Sequence, residues 1–469
     1  MAFQPSASLL MPDAKKTNPD AGLFSELPES KRPKRVDESR SADDEQLFDW
    51  SSWQSKLPPL KKHSVAKLDV LRSYIEDYIT ILCTGNPGQD RFRLTLVDGF
   101  AGGGIYEGDS FGSPFVLLQA VKVAEARVNQ TRTKPLTIEC NYYFVEADEA
   151  AANCLDYQLR QRGYAHEIGK SITLIRGKFE TAYERIIADV QQRHSRGGSR
   201  VIFFLDQCGY SDAPPPLLRA ISEKLNLKAE FIVNLAIDWL TTYLRDEKTF
   251  RKIYPSLGVD AVLPIEKVLA AAKNEAFDPQ YVVESLIGPA FQQVSGSPFF
   301  SPFYIQAPKS NRGYWLVHLA PARRARSAML DVHWRVGNGC RHFGHTGLDM
   351  LSFKSDANPS GYLTGLEFGE SIRSSVKDKL THDLSREIRD KHSAGISYRE
   401  FQDAYCNRTM ANDEIVRQVL IRLMQEGEID VSGKQGGAKR VDSIVPDDII
   451  KPGTGRVLLV VPRSPKKRK

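Results

Sequence analysis

The first regular pattern of apolar residues begins near Lys61. Six apolar side chains recur there at intervals of three or four residues: Val65, Leu68, Leu71, Ile75, Tyr78 and Leu82. An α-helix turns once in about 3.6 residues, so this spacing places all six on one face. The pattern predicts a long amphipathic helix at the start of the folded part of the chain.

Five short, almost entirely apolar runs follow, and stretches with helical periodicity separate them. The runs cover residues 94–100, 142–145, 172–175, 201–205 and 231–235. Strands that are apolar on both faces and alternate with helices are typical of a parallel sheet covered on both sides. The predicted fold class is therefore α/β, with a Rossmann-like, doubly wound, mostly parallel sheet. Right-handed crossovers bring the carboxyl ends of these strands to one edge, where we expect the chemistry.

The pattern weakens in residues 246–310, which are polar and contain several prolines and glycines. We interpret this segment as a mostly helical insert. An apolar run at residues 314–319 then predicts a further strand, and residues 325–336 have the spacing of a helix. These two elements would complete the α/β core.

The pattern changes again beyond residue 370. Helical spacing occurs near residues 372–389, 398–406 and 412–426, and strand-like pieces follow at residues 429–431 and 457–461. Asn412 is a suitable N-cap for the third helix, and Gly427 follows its end. Three helices followed by a β-ribbon predict a winged-helix-like domain.

Residues 1–48 are rich in Pro, Ser and charged residues and have too few apolar side chains to offset the entropy of ordering. We therefore expect a disordered N-terminal arm. The predicted organisation is a disordered arm (1–48), an α/β core (49–245), a mostly helical insert (246–310), the remainder of the core (311–370), a winged-helix-like domain (371–462) and a basic tail (463–469).

The length and composition indicate how many domains the chain can form and argue against a membrane-spanning protein. The chain has 469 residues, 41% of them apolar, which suffices for two or three domains with a large core. No stretch approaches the roughly 20 apolar residues of a membrane-spanning helix, and no signal peptide is recognisable. We expect a cytoplasmic protein that makes no contact with membranes.

The positive charge is concentrated at the C-terminus. The chain has 64 basic and 58 acidic residues, a net charge of +6, and residues 463–469 contribute five of the positive charges. A basic tail can bind nucleic acid by releasing counter-ions. The third C-terminal helix would also present Arg417, Gln418 and Arg422 on its exposed face. Nucleic acid, bound through the winged helix and the tail, is therefore one candidate partner.

The cysteines and histidines form no recognised metal-binding pattern. The six cysteines, which never occur as Cys-x-x-Cys, are Cys83, Cys140, Cys154, Cys208, Cys340 and Cys406. His333, His342 and His345 lie close together in sequence, but no acid or second cysteine completes a usual ligand spacing. We predict no metal site and reduced, mostly buried thiols.

Residues 98–104 read Asp-Gly-Phe-Ala-Gly-Gly-Gly and directly follow the first predicted strand. Glycines allow a backbone to approach a ligand closely, and an acid at a strand end can accept charged hydrogen bonds. The segment resembles motif I of class I S-adenosylmethionine-dependent methyltransferases. The resemblance implies S-adenosylmethionine as the cofactor, bound by Asp98, Phe100, Gly102 and Gly104. An ordinary glycine turn is the alternative.

Two further residues would complete the cofactor site. Glu146 ends the second predicted strand, where an acid in this class of fold accepts hydrogen bonds from the ribose hydroxyls. The alternative is that Glu146 caps the next helix. Phe179 follows the third strand, where methyltransferases contact adenine, although an aromatic residue at a strand end is more often part of the core.

The fourth predicted strand ends at Asp206, and Tyr210 lies four residues further on. Amino-group methyltransferases place an Asp-Pro-Pro-Tyr sequence there, so the resemblance implies Asp206 and Tyr210 as catalytic residues. Both prolines are missing, which argues against base methylation. Cys208 has no neighbouring His that would activate it, so we expect it to be inert.

Several motifs in order resemble those of the three-Cys-motif partner protein family, TcmP. They are His63-x-x-x-Lys67-x-x-x-Leu71-x-x-Tyr74, Val97-Asp98-Gly99-Phe100-Ala101-Gly102, Gly112-Ser113-Pro114, Phe144-Val145-Glu146, Leu205-Asp206 with Gly209, Tyr314-Trp315-Leu316-Val317 and Ala328-Met329. The family usually has Asp-Pro-Phe-Gly where this chain has Asp206-Gln207-Cys208-Gly209. Ser113 is expected to cap the helix that follows, with Pro114 in its first position. The alternative is a functional contact, because this loop lies near the substrate mouth in methyltransferase-like folds.

The resemblance implies a methyltransferase-like protein encoded beside a three-cysteine protein of the radical S-adenosylmethionine type. One hypothesis is a methyltransferase that acts on nucleic acid or protein. The other is a non-catalytic scaffold that docks the three-cysteine protein or nucleic acid. Whether the chain is an enzyme is left open by the sequence.

Overall fold

The computed structural model describes residues 49–194, 200–207, 211–235, 237–274, 277–306, 313–336, 340–344, 347–351, 363–367, 370–433 and 443–454. The predicted disordered arm, Tyr210, Cys208, the strand-like piece at 457–461 and the basic tail lie outside these residues. Asp49 begins the unit that contains all described residues. None of the described helices is long and apolar enough to cross a membrane.

Fourteen strands are assigned within the described part of the chain. They are β1 (Arg91–Asp98), β2 (Ile105–Tyr106), β3 (Ser110–Phe111), β4 (Thr137–Glu146), β5 (Ile172–Arg176), β6 (Arg200–Leu205), β7 (Ala229–Leu235), β8 (Phe299–Gln306), β9 (Gly313–Ala320), β10 (Cys340–Gly344), β11 (Leu363–Glu367), β12 (Ile396–Ser397), β13 (Ile429–Ser432) and β14 (Ile449–Pro452).

The α-helices of the described part alternate with these strands in its first half. They are α1 (Lys62–Thr84), α2 (Ser113–Asn129), α3 (Glu149–Leu159), α4 (Phe179–His194), α5 (Pro215–Lys224), α6 (Ile237–Leu244), α7 (Glu247–Ile253), α8 (Ile265–Ala272), α9 (Pro279–Val282), α10 (Gly288–Ser295), α11 (Arg323–Val336), α12 (Glu370–Lys391), α13 (Tyr398–Tyr405) and α14 (Asp413–Gln425).

The central sheet has the order β11-β10-β8-β9-β7-β6-β1-β4-β5. The five strands from β5 to β7 are parallel to their neighbours. Strand β9 is antiparallel to β7 and to β8, so β8 runs in the same direction as the first five. This mostly parallel seven-strand region confirms the predicted α/β class and is consistent with a Rossmann-like methyltransferase fold. Beyond β8, the sheet continues with β10, which is antiparallel to β8, and β11, which is antiparallel to β10.

Alternate residues of the parallel strands enter two separate apolar layers. Leu96 of β1 packs in the layer that also contains buried residues of α1, α2 and α11, whereas Val97 packs with residues of α4 and α5. Burial on both faces explains why these strands are almost continuously apolar. The predicted first helix, the five strands and the strand at 314–319 are all confirmed.

One strand was missed in the middle region. The described residues between 247 and 295 are largely helical, but β8 follows and pairs with β9 along its whole length. Pro302 disfavoured a strand in the sequence, because proline cannot donate to a ladder. The proline is tolerated because β10 pairs with β8 only at Tyr304 and Ile305 among the described residues.

The three predicted C-terminal helices are present as α12, α13 and α14. The Asn412 side chain caps α14 by accepting a hydrogen bond from the Ile415 N–H at 2.8 Å, and Gly427 follows with a φ of 71°. A small antiparallel sheet has the order β12-β14-β13. The described partner of β13 is β14, which the sequence pattern had not predicted. The winged-helix assignment stays a prediction.

Candidate functional site

The glycine loop begins where β1 ends at Asp98. Gly102 has a φ of 61°, in the left-handed region that a side chain disfavours, and Gly104 has a φ of 79°. A Cβ atom at Gly103 would lie only 2.2 Å from the Trp50 ring. The loop therefore needs glycine for two reasons, its backbone conformation and the close approach of an aromatic side chain.

Glu146, at the end of β4, contacts this loop directly. Its Oε2 accepts a hydrogen bond from the Gly102 N–H at 2.7 Å, and its Oε1 accepts one from the Asp148 N–H at 2.7 Å. Gly102 and Glu146, both predicted to bind the cofactor, are therefore in direct contact. A carboxylate has about four acceptor positions, so Glu146 retains capacity for further donors.

The helix-cap alternative for Glu146 is wrong. The N-cap of α3 is Asp148, whose side chain accepts a hydrogen bond from the Ala151 N–H at 2.8 Å. Glu146 instead fixes the backbone of this capping residue and of the glycine loop together.

Asp98 lies beneath the loop and is completely buried. Its Oδ1 accepts a hydrogen bond from the Phe100 N–H at 3.2 Å, whereas its Oδ2 has no hydrogen-bond partner among the described residues. Burial raises the pKa of Asp98 to about 7, and the negative charges of Asp206 and Glu146 add to the rise. Asp98 can therefore change its protonation state near neutral pH.

Ser113 has a different role from the one expected. The N-cap of α2 is Gly112, and the Ser113 side chain lies close enough to Asp98 to oppose the rise of the Asp98 pKa. Pro114 does occupy the first turn of α2. Sequence reasoning missed the contact between Ser113 and Asp98 because it joins a helix start to the end of a strand.

Asp206 follows β6 and forms an ion pair with Lys67 of α1. The distance between Lys67 Nζ and Asp206 Oδ1 is 2.5 Å, and the two side chains are 5% and 26% exposed. Lys67 Nζ also lies 5.1 Å from the centre of the Tyr314 ring. Lys67 had been noted only as part of a motif. Its position four residues before Leu71 on the buried face of α1 was the available signal.

Beside Asp206, two buried amides have unpaired atoms. Gln207 Oε1 accepts a hydrogen bond from the Ala213 N–H at 2.9 Å, but Gln207 Nε2 has no partner among the described residues. Asn234 Nδ2 donates to the Gln207 carbonyl at 3.4 Å, and Asn234 Oδ1 is likewise unpaired within the described part. Buried polar atoms without partners are rare in proteins and often mark ligand sites.

A cleft of about 180 Å³ opens at the carboxyl ends of β1, β4 and β5. Its lining includes Gly99, Phe100, Glu146, Lys178 and Phe179. Clefts that enclose a whole drug-sized ligand have volumes of about 300–1,000 Å³. The cleft can therefore take one end of an elongated ligand.

Phe179 both lines the cleft and belongs to the core. It is 2% exposed, and its ring centre lies 6.4 Å from that of Phe100 and 6.2 Å from that of Phe203. The half-buried Phe100 is the more accessible of the two aromatic residues at the cleft.

Trp50 was not anticipated as a site residue. It is 4% exposed and makes an edge contact with Tyr106, with ring centres 5.3 Å apart. Because the Trp50 ring also lies against Gly103, the segment before α1 forms one wall of the glycine loop. A tryptophan just before the first amphipathic helix was the only local signal.

The site has an acidic character. Asp206 and Glu146 both contribute negative charge at Asp98, and Lys67 balances one of these acids. An acidic pocket favours a ligand that carries positive charge. The sulfonium and amino groups of S-adenosylmethionine have the required sign.

The described histidines and cysteines do not point to a metal site or to a reactive thiol. They contain no group of three or more potential metal ligands. His333 is fully buried, while the His342 side chain and His345 lie outside the description. Burial raises the pKa of Cys83 and Cys154 to about 11 and that of Cys140 to about 12, so these thiols resist ionisation.

Comparison with protein-family models gives no match, and a search of curated proteins gives none either. The resemblance to the TcmP family therefore rests on the quoted motifs alone.

Solved structures that this chain matches include a Legionella pneumophila protein of the DUF519 family, with 12% identity and a TM-score of 0.32 over 58% of this chain and 94% of that one. A human methyltransferase 10 domain-containing protein has 9% identity and a TM-score of 0.22 over 53% and 82%. Trm1 from Pyrococcus horikoshii with S-adenosyl-L-methionine has 10% identity and a TM-score of 0.26 over 84% and 93%. These values are low, and the assignment of the fold and of the site rests on the strand order and the contacts within this chain.

Proposed function

We propose that this chain binds S-adenosylmethionine at the glycine loop and transfers its methyl group to a nucleophile in nucleic acid or protein. The observation that supports the proposal most strongly is the hydrogen bond from the Gly102 N–H to Glu146. It joins the glycine loop to the acid of the second parallel strand, beside the buried Asp98. Ligands of open α/β sheets bind at this edge, outside the carboxyl ends of the strands.

The residues of the site suit the two ends of this cofactor. Glu146 would accept hydrogen bonds from the ribose hydroxyls, and Phe100 and Phe179 would contact the base in the cleft of about 180 Å³. The backbone of the glycine loop, at Gly102 and Gly104, would contact the methionine portion. Asp98 Oδ2 and Asp206 provide acceptor atoms for its ammonium group.

The bound cofactor would supply a methyl group already activated by a positively charged sulfur. Phe100, Glu146 and Asp206 would hold the cofactor, and an acceptor bound beside it would supply the lone pair that receives the methyl group, with the sulfur keeping the electrons of the broken bond. The acceptor loses a proton, which Asp206 or water can receive. The protein's contribution is alignment: Lys67 holds Asp206 in place, and Tyr210 is proposed to stack against the acceptor group.

The class of acceptor is part of the proposal. We assign the C-terminal helices and small sheet to a winged-helix-like unit that would bring nucleic acid or protein to the site. On α14, Arg417 pairs with Glu414 at 3.4 Å, and Arg422 pairs with Asp378 and Glu426, each at 2.9 Å. Such exposed pairs are weak and exchange readily for phosphate. Membership of the TcmP family, with a three-cysteine protein as partner, is proposed on the motifs alone.

A non-catalytic scaffold is the second candidate function. It is favoured by Gln207, which replaces the usual proline and carries an unpaired Nε2. If the cofactor binds but purified protein transfers no methyl group to DNA, RNA or protein pools, the scaffold is the better description.

The test of cofactor binding is calorimetry with S-adenosylmethionine on the purified full-length chain. We expect saturable binding, weakened at least ten-fold in Glu146→Gln. This variant keeps an oxygen for the Gly102 N–H but loses the charge. Glu184→Gln, on the exposed face of α4, is the matched control and should bind normally. The absence of heat from the unmodified protein at millimolar cofactor would exclude the proposal.

A further inference from the structure

A second cavity lies at the opposite edge of the central sheet from Asp206. Strands β6 and β7 begin at Arg200 and Ala229 there, and β9 ends at Ala320. The cavity has a volume of about 440 Å³. This falls within the about 300–1,000 Å³ of small-molecule sites.

The walls of this cavity are apolar. Helix α1 contributes Tyr78, Ile81 and Leu82, and α11 contributes Ala325 and Ala328. The alanines lie three residues apart and therefore on one face of α11. Their small side chains leave the space that a larger residue would fill.

Leu227 at the edge of the cavity is unusual in two respects. It is 56% exposed, although it is a large apolar residue, and it has a φ of 57°. A leucine in the left-handed region is strained, and strained residues are concentrated at functional sites. An apolar ligand in the cavity would cover this side chain.

Three cations surround the same cavity: Arg200, Lys228 and Arg324, all exposed. Lys228 and Arg324 form no ion pair with another described residue, and the Arg200 guanidinium lies 5.6 Å from the centre of the Phe92 ring. Among the lining residues the only acid is Glu230, which is 4% exposed. Its Oε2 already accepts a hydrogen bond from the Tyr74 hydroxyl at 2.6 Å.

We propose that this cavity binds an amphipathic anion, a molecule with an apolar chain and a carboxylate or phosphate head. The chain would lie against α1 and α11, and the head would lie among Arg200, Lys228 and Arg324. This site is separate from the cofactor site and does not depend on methyl transfer. Apolar walls with a cationic rim fit neither a neutral sugar nor a cationic ligand.

The probes are octanoate, octyl phosphate and neutral 1-octanol, titrated calorimetrically into the full-length protein below their aggregation concentrations. We expect saturable binding of at least one anion, at least ten-fold tighter than binding of 1-octanol. Tighter octanoate would indicate a fatty-acid-like ligand, and tighter octyl phosphate a phosphate monoester. Affinity should rise about four-fold for each added methylene until the cavity is full.

Two sets of variants separate specific binding from adsorption. The double variant Lys228→Gln/Arg324→Gln should bind the anions at least ten-fold more weakly. The control is the double variant Lys248→Gln/Lys252→Gln, which makes an equal charge change on α7 and should bind the anions normally. Ala322→Trp, at an exposed position of the lining, should block both anions and 1-octanol. Glu146→Gln should leave the affinity unchanged, which distinguishes this site from the cofactor site.

No saturable anion binding at millimolar concentration, or equal binding by the Lys228/Arg324 and Lys248/Lys252 double variants, would overturn the proposal. Unimpaired binding to Ala322→Trp would overturn it as well, because the ligand would then lie elsewhere.

Discussion

The ion pair between Lys67 and Asp206 joins the first helix to the edge of the sheet that carries the candidate site, across 139 residues of sequence. Its strength can be measured with a double-mutant cycle of Lys67→Met and Asp206→Asn. The Lys67 side chain is 5% exposed and that of Asp206 is 26% exposed, so water screens the pair only in part. A hydrogen bond between charged groups under these conditions contributes about 1.5–3 kcal/mol.

Removing one partner of a fully buried pair costs about 3–5 kcal/mol. Because Asp206 retains contact with water, we expect Lys67→Met to lower the free energy of unfolding by less than this, about 2–3 kcal/mol. The double variant should be nearly as stable as the less stable single variant. The free energies come from urea unfolding monitored by tryptophan fluorescence and far-ultraviolet circular dichroism.

The matched control is the exposed pair Arg219 and Glu223 on α5, whose side chains are 57% and 59% exposed at a distance of 2.8 Å. A cycle there should give a coupling energy of only about 0.3–0.5 kcal/mol. If the Lys67–Asp206 coupling energy is no larger than this control value, the pair does not anchor Asp206 and our account of its positioning is refuted.

Three further predictions concern residues around the site and in the C-terminal unit. The pKa of Asp98 is raised to about 7, so the folded state binds this proton more tightly than the unfolded state, and the Asp98 contribution to stability falls as pH rises from about 4 to 7. Compared with Asp98→Asn in urea unfolding, the unmodified protein should lose about 4 kcal/mol over this range; parallel pH profiles would contradict this. Gly103→Ala places a Cβ atom 2.2 Å from the Trp50 ring and should cost about 1–3 kcal/mol, partly restored by Trp50→Leu; an unchanged melting temperature would show that the ring is not packed there. Asn412→Ala removes the cap of α14 and should cost about 1 kcal/mol, whereas Asn412→Asp should retain most of the stability; equal losses in both would argue against capping.

Sequence pattern alone predicted the elements whose residues are buried on both faces. Strands β1, β4, β5, β6 and β7 were recognisable because both of their faces pack against helices. Strand β8 was missed because it contains Pro302. The proline is tolerated because the neighbouring strand β10 does not pair with β8 at that position, and the sequence alone does not reveal which residues of two strands pair. Strand β14 was missed because its residues, Ile-Ile-Lys-Pro, do not alternate between apolar and polar and end in a proline.

The candidate site was predictable to the extent that strand ends determine it. Asp98, Glu146 and Asp206 each follow a buried strand, and parallel strands bring their carboxyl ends to one edge. Lys67, Trp50 and Ser113 were not predicted as site residues, because each reaches the site from a different element. Such contacts depend on how the elements pack against one another, and the local signals at Lys67 and Trp50 did not by themselves assign a role.

The central claim is that the glycine loop and Glu146 receive S-adenosylmethionine. The most direct measurement is amide nuclear magnetic resonance on full-length protein labelled with nitrogen-15 glycine, during titration with the cofactor. The account predicts saturable shifts of the Gly99, Gly102 and Gly177 amides, which lie at the glycine loop and the cleft, while Gly258 and Gly427 stay unchanged. Unchanged Gly99 and Gly102 resonances at millimolar cofactor, or shifts confined to the distant glycines, would contradict it.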